Sequence, residues 1–264
     1  MSRFAWSPVR RVSFKGMEVP CALSLDIRLD GSTFFGQSSG VRIDGPRRLA
    51  IKRALTPFRG LVQHSIGPGF ITREVGRLLQ PHLSPTSDFL EIGCGSMLLR
   101  RYLPKGCMYN AIEMSISEFV LETAVRNNPA VNFAFALATD IPLPNSSVDT
   151  IASAEVFEHI PPIADAMKEV RRVLRTGGHL VCSIPNNYYY KYQVVGENSD
   201  HVNKWHFDEF AKWVVPFGFE VVEAHRKGCW VPCKLPGLQN LYLPFRPKQE
   251  FYTSNFFFTF RAVS

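Results

Sequence analysis

A Gly-x-Gly turn at the end of a short apolar strand constrains this chain more than any other feature. In Asp88-Phe89-Leu90-Glu91-Ile92-Gly93-Cys94-Gly95 an acidic residue, Glu91, stands just before the glycines. Glycine lets the backbone take positive φ there and lets a ligand approach the main chain without a Cβ in the way. A helix expected from about Ser96 to Leu103 would point its N-terminus at the same spot. This is the sequence of the nucleotide end of a doubly wound α/β sheet.

Which nucleotide is narrowed by what is missing. The third glycine of a dinucleotide fingerprint would fall at Leu98, and no Gly-Lys-Ser/Thr follows, which excludes a phosphate-cradling P-loop. A second acidic residue, Glu113, closes the next apolar run, Met108 to Ile112, twenty residues past Gly93. There a carboxylate can accept hydrogen bonds from both hydroxyls of a ribose. Spacing alone also fits a nicotinamide enzyme, or a structural strand–turn–helix with a surface glutamate.

Downstream comes Ala138-Thr139-Asp140-Ile141-Pro142-Leu143-Pro144-Asn145-Ser146-Ser147-Val148-Asp149, then an apolar strand from Thr150 to Ala154 and Glu155-Val156-Phe157-Glu158-His159-Ile160. A helix with Val170 and Leu174 inward ends in Arg175-Thr176-Gly177-Gly178 and feeds a strand from His179 to Ile184. In this order the segments resemble the class I S-adenosylmethionine-dependent methyltransferases, in particular the small-molecule branch of type 11 methyltransferases. The resemblance covers about residues 88–186 with specific motifs and 200–262 more loosely. It implies a Rossmann-like, doubly wound sheet of seven strands with the last antiparallel, an N-terminal extension and a cap insertion. It implies S-adenosylmethionine as cofactor, gripped by Glu91, Gly93, Cys94, Gly95, Glu113, Met114, Ala138, Thr139, Asp140, Ala154 and Glu155. Two positions depart from the family. Its third glycine is Met97 here, whose side chain must turn away from the cofactor, and an acidic residue near the adenine is Leu137.

Methyl transfer is an in-line displacement at a sulfonium carbon, so the protein mainly aligns the nucleophile and excludes water. An oxygen or nitrogen nucleophile that carries a proton also needs a base. His159, after the fourth strand, is the first candidate, and a helix-capping His is its structural alternative. His201 and His206 are further candidates, in an aromatic stretch that opens at Pro185-Asn186-Asn187-Tyr188-Tyr189-Tyr190. Glu155-x-x-Glu158-His159 also resembles the Glu-x-x-Glu-His run of ubiquinone-pathway O-methyltransferases, which implies a divalent ion. The expectation adopted is that no metal is held, there or at Cys229-x-x-x-Cys233, which lacks partners at zinc spacing.

The 264 residues divide into a basic arm or hairpin (1–45), a helical pre-core segment (46–87) and a core (88–264) with cap segments 187–207 and 228–255. Residues 1–87 hold 13 Lys/Arg against 5 Asp/Glu, and 88–264 hold 17 against 18, so all the basicity precedes the core. Arg42, Arg47, Arg48, Lys52, Arg53 and Arg59 cluster on a plausible amphipathic helix, a solvated face or a site for anionic headgroups, phosphorylated substrates or nucleic acid. Leu23, Leu25, Ile27 and Leu29 alternate before Asp30-Gly31 as in a hairpin. A helix from Thr72 to Leu79 leads to the core, and Arg73 on it is a candidate for the cofactor carboxylate. The run Asp208 to Val215 reads as a helix before a sixth strand.

No apolar run is long enough to span a membrane, no signal core follows the early arginines, and the scattered cysteines read as reduced thiols. These features point to the cytoplasm, with peripheral contact to an anionic membrane through the basic region. The expected function is methylation, at oxygen, of a small-molecule or lipid-linked metabolite such as a sugar or quinone. The alternatives are an RNA methyltransferase and an inactive partner subunit of the same fold. Against nucleic acid, the Asn/Asp-Pro-Pro-aromatic run that holds a flipped base is absent after the fourth strand, where Ala154-Glu155-Val156-Phe157 stands.

Overall fold

A computed structural model describes residues 10–14, 17–21, 68–114, 131–190, 192, 200–235 and 238–264, with the backbone alone for 10–19, 68 and 230–242. The basic cluster at 42–59 and the alternating run at 23–29 lie outside the described residues, as do the side chains of Trp230, Leu235, Leu238, Leu241 and Tyr242 from the cap segment.

Strands β1 (Arg10–Phe14) and β2 (Met17–Cys21) form an antiparallel hairpin. Helix α1 (Pro68–Leu79) begins four residues earlier than expected and precedes β3 (Asp88–Ile92), β4 (Met108–Glu113), β5 (Asn132–Phe135) and β6 (Val148–Ala154). Helix α2 (Ile163–Val173) leads directly into β7 (Leu174–Pro185), so Leu174 belongs to the strand and not to the helix face. Helix α3 (Phe207–Val214), β8 (Phe219–Lys227), the hairpin of β9 (Cys229–Leu235) and β10 (Leu238–Leu243), and β11 (Asn255–Ala262) complete the chain.

One sheet runs in the order β1-β2-β5-β4-β3-β6-β7-β11-β8, and β9–β10 is a separate ribbon. The seven strands expected are its body, with β11 antiparallel to both β7 and β8. The hairpin extends the edge through one parallel pairing, Cys21 with Phe135, which the seven-strand expectation did not include. Strand order reverses between β3 and β6, which pair in parallel, and ligands bind in such sheets at the carboxyl ends around that reversal.

The core strands carry apolar residues on both faces because both faces are covered. On one face Leu90, Ile92, Ile151, Leu180, Phe258 and Phe260 pack with Val170 of α2 and Phe210 of α3. On the other, Phe89, Ala111, Phe135 and Phe257 pack with Phe70, Val75 and Leu79 of α1. Each fully buried phenylalanine contributes about 1.5–3 kcal/mol against exposure. Polar contacts fix the position of α1 across the sheet. Burial alone would raise the Glu74 carboxyl, but hydrogen bonds from His225, Lys227 and Arg77 outweigh it and hold the group well below the usual carboxylate range.

Candidate cofactor and acceptor site

The turn after β3 is built as its glycines demand. Gly93 has φ 69°, and a Cβ there would stand 2.4 Å from Cγ2 of Val156, in the segment after β6. Only glycine lets the two segments touch. Gly95 has φ 45°, but a Cβ there would meet nothing within 4 Å among the described residues, which leaves its face open to an incoming group. Its N–H donates to Oε2 of Glu113 at 3.0 Å. An acidic side chain at the end of β4 thus lies against the open glycine, the arrangement that a nucleoside's ribose requires.

Met97 adopts φ 53° and buries its side chain in the core cluster around Phe70 and Leu99. It therefore turns away from the glycine face, as the substitution of the family's third glycine demanded. The left-handed residue also breaks the expected helix. In place of a helix over 96–103 there is one 3-10 segment, Leu98–Tyr102, too short to focus a helix dipole on the turn. Glu91 lies buried under the turn and receives the Tyr109 hydroxyl; burial pushes its carboxyl up to about 8. Cys94 is buried, and its thiol is raised by burial.

Past β5 the chain turns at Leu137–Asp140, where the Asp140 N–H donates to the Leu137 carbonyl at 3.1 Å. Leu137 and Asp140 are exposed, Thr139 is half-buried and Ala138 packs on the core. The Ile-Pro-Leu-Pro stretch that follows is clamped from α2. The Arg172 guanidinium, paired with Glu169 at 2.6 Å, donates to the carbonyls of Ile141 and Leu143, and Glu169 accepts the Ile141 N–H. Met114, at the mouth beyond β4, is exposed, as is Arg73 on α1.

A second group of side chains gathers beyond the ends of β6 and β7. Ala154 closes β6, and Glu155 follows with φ 56°. The carboxylate of Glu155 accepts from the Ser183 hydroxyl (2.7 Å) and from Nδ2 of Asn255 (2.9 Å), and burial raises it to about 7. Glu155 is therefore engaged with β7 and β11. A 3-10 turn, Phe157–His159, then buries Glu158 completely. Oε1 of Glu158 lies 3.6 Å from Nε2 of His159, Oε2 has no partner among the described residues, and burial followed by repulsion from Glu155 pushes its carboxyl well above the usual range.

The loop 200–206 folds over this turn because Asn203 bonds to it three times, through its N–H to the Glu158 carbonyl and through Nδ2 to the carbonyls of Phe157 and Ile160. That brings His201 edge-on to His159, with ring centroids 5.0 Å apart. Nδ1 of His159 lies 2.8 Å from the Asp200 carbonyl, and Nδ1 of His201 lies 2.6 Å from Oδ1 of Asn187. Donor atoms of Glu158, His159 and His201 fall within 4.8 Å of one another. Glu155 is not among them, so the Glu-x-x-Glu-His run does not converge as a unit. His206 is outside the group too. It stacks on Tyr188 at 3.8 Å, lies 2.7 Å from Glu250, and stands as the N-cap of α3, which begins one residue before the expected Asp208; Glu209 caps its N–H.

Sequence reasoning singled out the histidines but not Asn187, Ser183, Asn203 or Asn255. The signal available was two asparagines at the end of a strand, at a sheet end where ligands bind.

Comparison with known proteins matches residues 90–182 to the methyltransferase domain family. A Mycobacterium tuberculosis protein named a "probable S-adenosylmethionine-dependent methyltransferase" is 28% identical over 134 residues, 50% of this chain and 48% of that protein. The 2-methyl-6-phytyl-1,4-hydroquinone methyltransferase of Synechocystis is 32% identical over 102 residues, 38% of this chain and 32% of that protein. The chain thus spans about half or less of the length of these relatives. In fold it is similar to the 1,6-didemethyltoxoflavin-N1-methyltransferase of Burkholderia thailandensis, solved with its substrate and S-adenosylhomocysteine, at a TM-score of 0.54 and 14% identity over 86% of this chain and 94% of that one. These likenesses support reading the core as a class I S-adenosylmethionine-dependent methyltransferase domain.

Proposed function

We propose that this chain is an S-adenosylmethionine-dependent methyltransferase that methylates an oxygen of a small-molecule or lipid-linked acceptor with an apolar body. The observation that carries the reading is the contact of Gly93 with Val156. It sets the open glycine turn, with Glu113 beside it, directly next to the segment that bears Glu158 and His159.

Glu113 and the open face of Gly95 would hold the nucleoside and methionine parts of the cofactor, with Ala138, Thr139 and Asp140 at the adenine. Bound there, the cofactor supplies an electrophilic methyl on a good leaving group. The chain's own work is to hold the acceptor oxygen in line, to exclude water, and to take up the acceptor's proton. Burial, with His159 next, lowers His201 to about 4, so its imidazole is neutral at physiological pH and able to accept. Burial, followed by repulsion from Glu155, pushes the Glu158 carboxyl well above the usual range, which lessens the negative charge beside His201. None of these roles requires a metal, and turnover is expected to change less than about tenfold on adding a chelator or magnesium.

An apolar acceptor is supported by the mouth of the site. Tyr188, Phe251 and Tyr252 are exposed there, with Tyr190 6.0 Å from Tyr252. The Asn186 side chain ties that turn to the end of β7 by bonds to the carbonyls of Glu250 and Thr253. The Synechocystis relative, named for a phytylated hydroquinone, is in line with it. Among the described residues no helix is long and apolar enough to cross a membrane. The experiment is incubation of the purified chain with methyl-labelled cofactor and fractionated cell extract. Label in the lipid or small-molecule fraction is expected. Label in RNA instead would favour the nucleic-acid reading, and cofactor binding with no transfer to any fraction would favour a partner subunit.

A further inference from the structure

Two imidazoles meet edge to face beside Glu158, and Nδ1 of each is occupied. Nδ1 of His159 lies against a backbone carbonyl, which can only accept, so that nitrogen carries the proton. Nδ1 of His201 lies 2.6 Å from the side-chain oxygen of Asn187, again an acceptor. In both rings Nε2 is thereby left as the lone-pair nitrogen. The two differ in exposure. The His159 side chain is 37% exposed, whereas His201 is 8% exposed and Asn187 5%. Asn187 carries a further oddity, because among the described residues its buried Nδ2 has no hydrogen-bond partner. An orphaned donor of this kind costs about 1–3 kcal/mol unless something fills it.

We infer that Asn187 positions the base: its oxygen holds the Nδ1 proton of His201, so that Nε2 is presented to the acceptor's hydroxyl, and its unfilled amide N–H grips the acceptor. The inference rests on the methyl-transfer reading and names the polar part of the substrate as a hydroxyl-bearing group with an oxygen that accepts from Nδ2. In the step, the acceptor's O–H bond breaks and its proton goes to Nε2 of His201. The oxygen forms a bond to the methyl carbon as the carbon–sulfur bond of the sulfonium breaks, and the sulfonium leaves as a neutral thioether. A neutral amine has one lone pair, which the displacement uses, so it could not also accept from Nδ2 as a hydroxyl oxygen can.

The groups facing His201 are His159 and Glu158 from the 3-10 turn, Asp200 and Lys204 from its own loop, Tyr192 with ring centroids 6.4 Å apart, and Asn187 from the end of β7. Of these, burial and the neighbouring His159 hold the ring neutral.

The test is long-range proton–nitrogen NMR on the full chain, which reports the protonated nitrogen of each imidazole without any acceptor. His201→Gln assigns the signal. The wild type should show His201 protonated at Nδ1 alone from pH 5.5 to 8. In Asn187→Ala the Nε2-protonated form should become the majority. In Asn187→Asp, which keeps the oxygen and adds a charge, Nδ1 should stay protonated and the titration midpoint should rise by at least one pH unit. Cofactor affinity within about twofold of wild type shows that each variant is folded, and Asn187→Asp, nearly the same in shape, carries the test if the alanine variant is not. Turnover on the labelled extract fraction should fall about 100-fold in Asn187→Ala. An unchanged tautomer and midpoint in both variants would overturn the inference, as would a divalent ion bound one-to-one and lost in His201→Gln. Failure of the methyl-transfer reading would look different, as a wild type that transfers no label while its tautomer stands as described.

Discussion

The proposed cofactor end and the proposed acceptor end of this molecule are built by different means. At the cofactor end, Glu91, Gly93 and Gly95 come from one strand and its turn, and Glu113 ends the strand that pairs with it. At the acceptor end, Glu158, Asn187 and His201 come from three segments that the topology brings together, and the second and third are joined by a single side-chain bond. The first is a local device, fixed by backbone sterics at two glycines. The second is a network of buried polar groups that works only if each partner is present.

The largest expected effect breaks the boundary between the two ends. Gly93→Ala puts a Cβ 2.4 Å from Val156 at φ 69°, and should weaken cofactor binding by about 3 kcal/mol through strain and displaced backbone. Calorimetry on the double variant with Val156→Ala should recover part of that loss. No recovery would mean that the two segments are not coupled there.

Next comes Glu91→Gln. The folded carboxyl is raised from 4.5 to about 8, so the folded state holds its proton more tightly than the unfolded one. Its contribution to stability is fully present below about pH 4.5 and is lost as pH rises through 8. Glutamine has no proton to lose. Its stability relative to wild type should therefore improve by about 2 kcal/mol or more between pH 5 and pH 9 in denaturant titrations. A difference that does not change with pH would show Glu91 to be ordinary.

The smallest effect is expected at His206. It is exposed, stacked on Tyr188 and engaged with Glu250 at the start of α3. His206→Ala should leave cofactor affinity within about 0.5 kcal/mol and turnover within about threefold. A loss of turnover as deep as that of His201→Gln would move His206 into the acceptor group.

How much was legible in the sequence follows the same division. The sheet body, its antiparallel last strand, and the pairing of an open glycine with Glu113 could be read because their signals lie within a strand and a turn. The interruption at Met97 could not. A methionine in the left-handed region has no local signature, and its cause, a core slot near Phe70 and Leu99, is tertiary. Nor could the partners of the carboxylates after β6. Glu155 is held by Ser183 and Asn255, 28 and 100 residues away, and spacing carries no record of such pairs. The attachment of the N-terminal hairpin to the sheet edge escaped for a related reason, since one pairing, Cys21 with Phe135, makes it.

The central claim is that the glycine turn and Glu113 form a site for S-adenosylmethionine, and calorimetric titration of that cofactor into the wild type and Glu113→Ala tests it most directly. One-to-one binding to the wild type is expected, with a loss of about 1–3 kcal/mol in the variant, since a ribose would lose a charged acceptor. No binding to the wild type, or equal affinity in a folded Glu113→Ala protein, would contradict it.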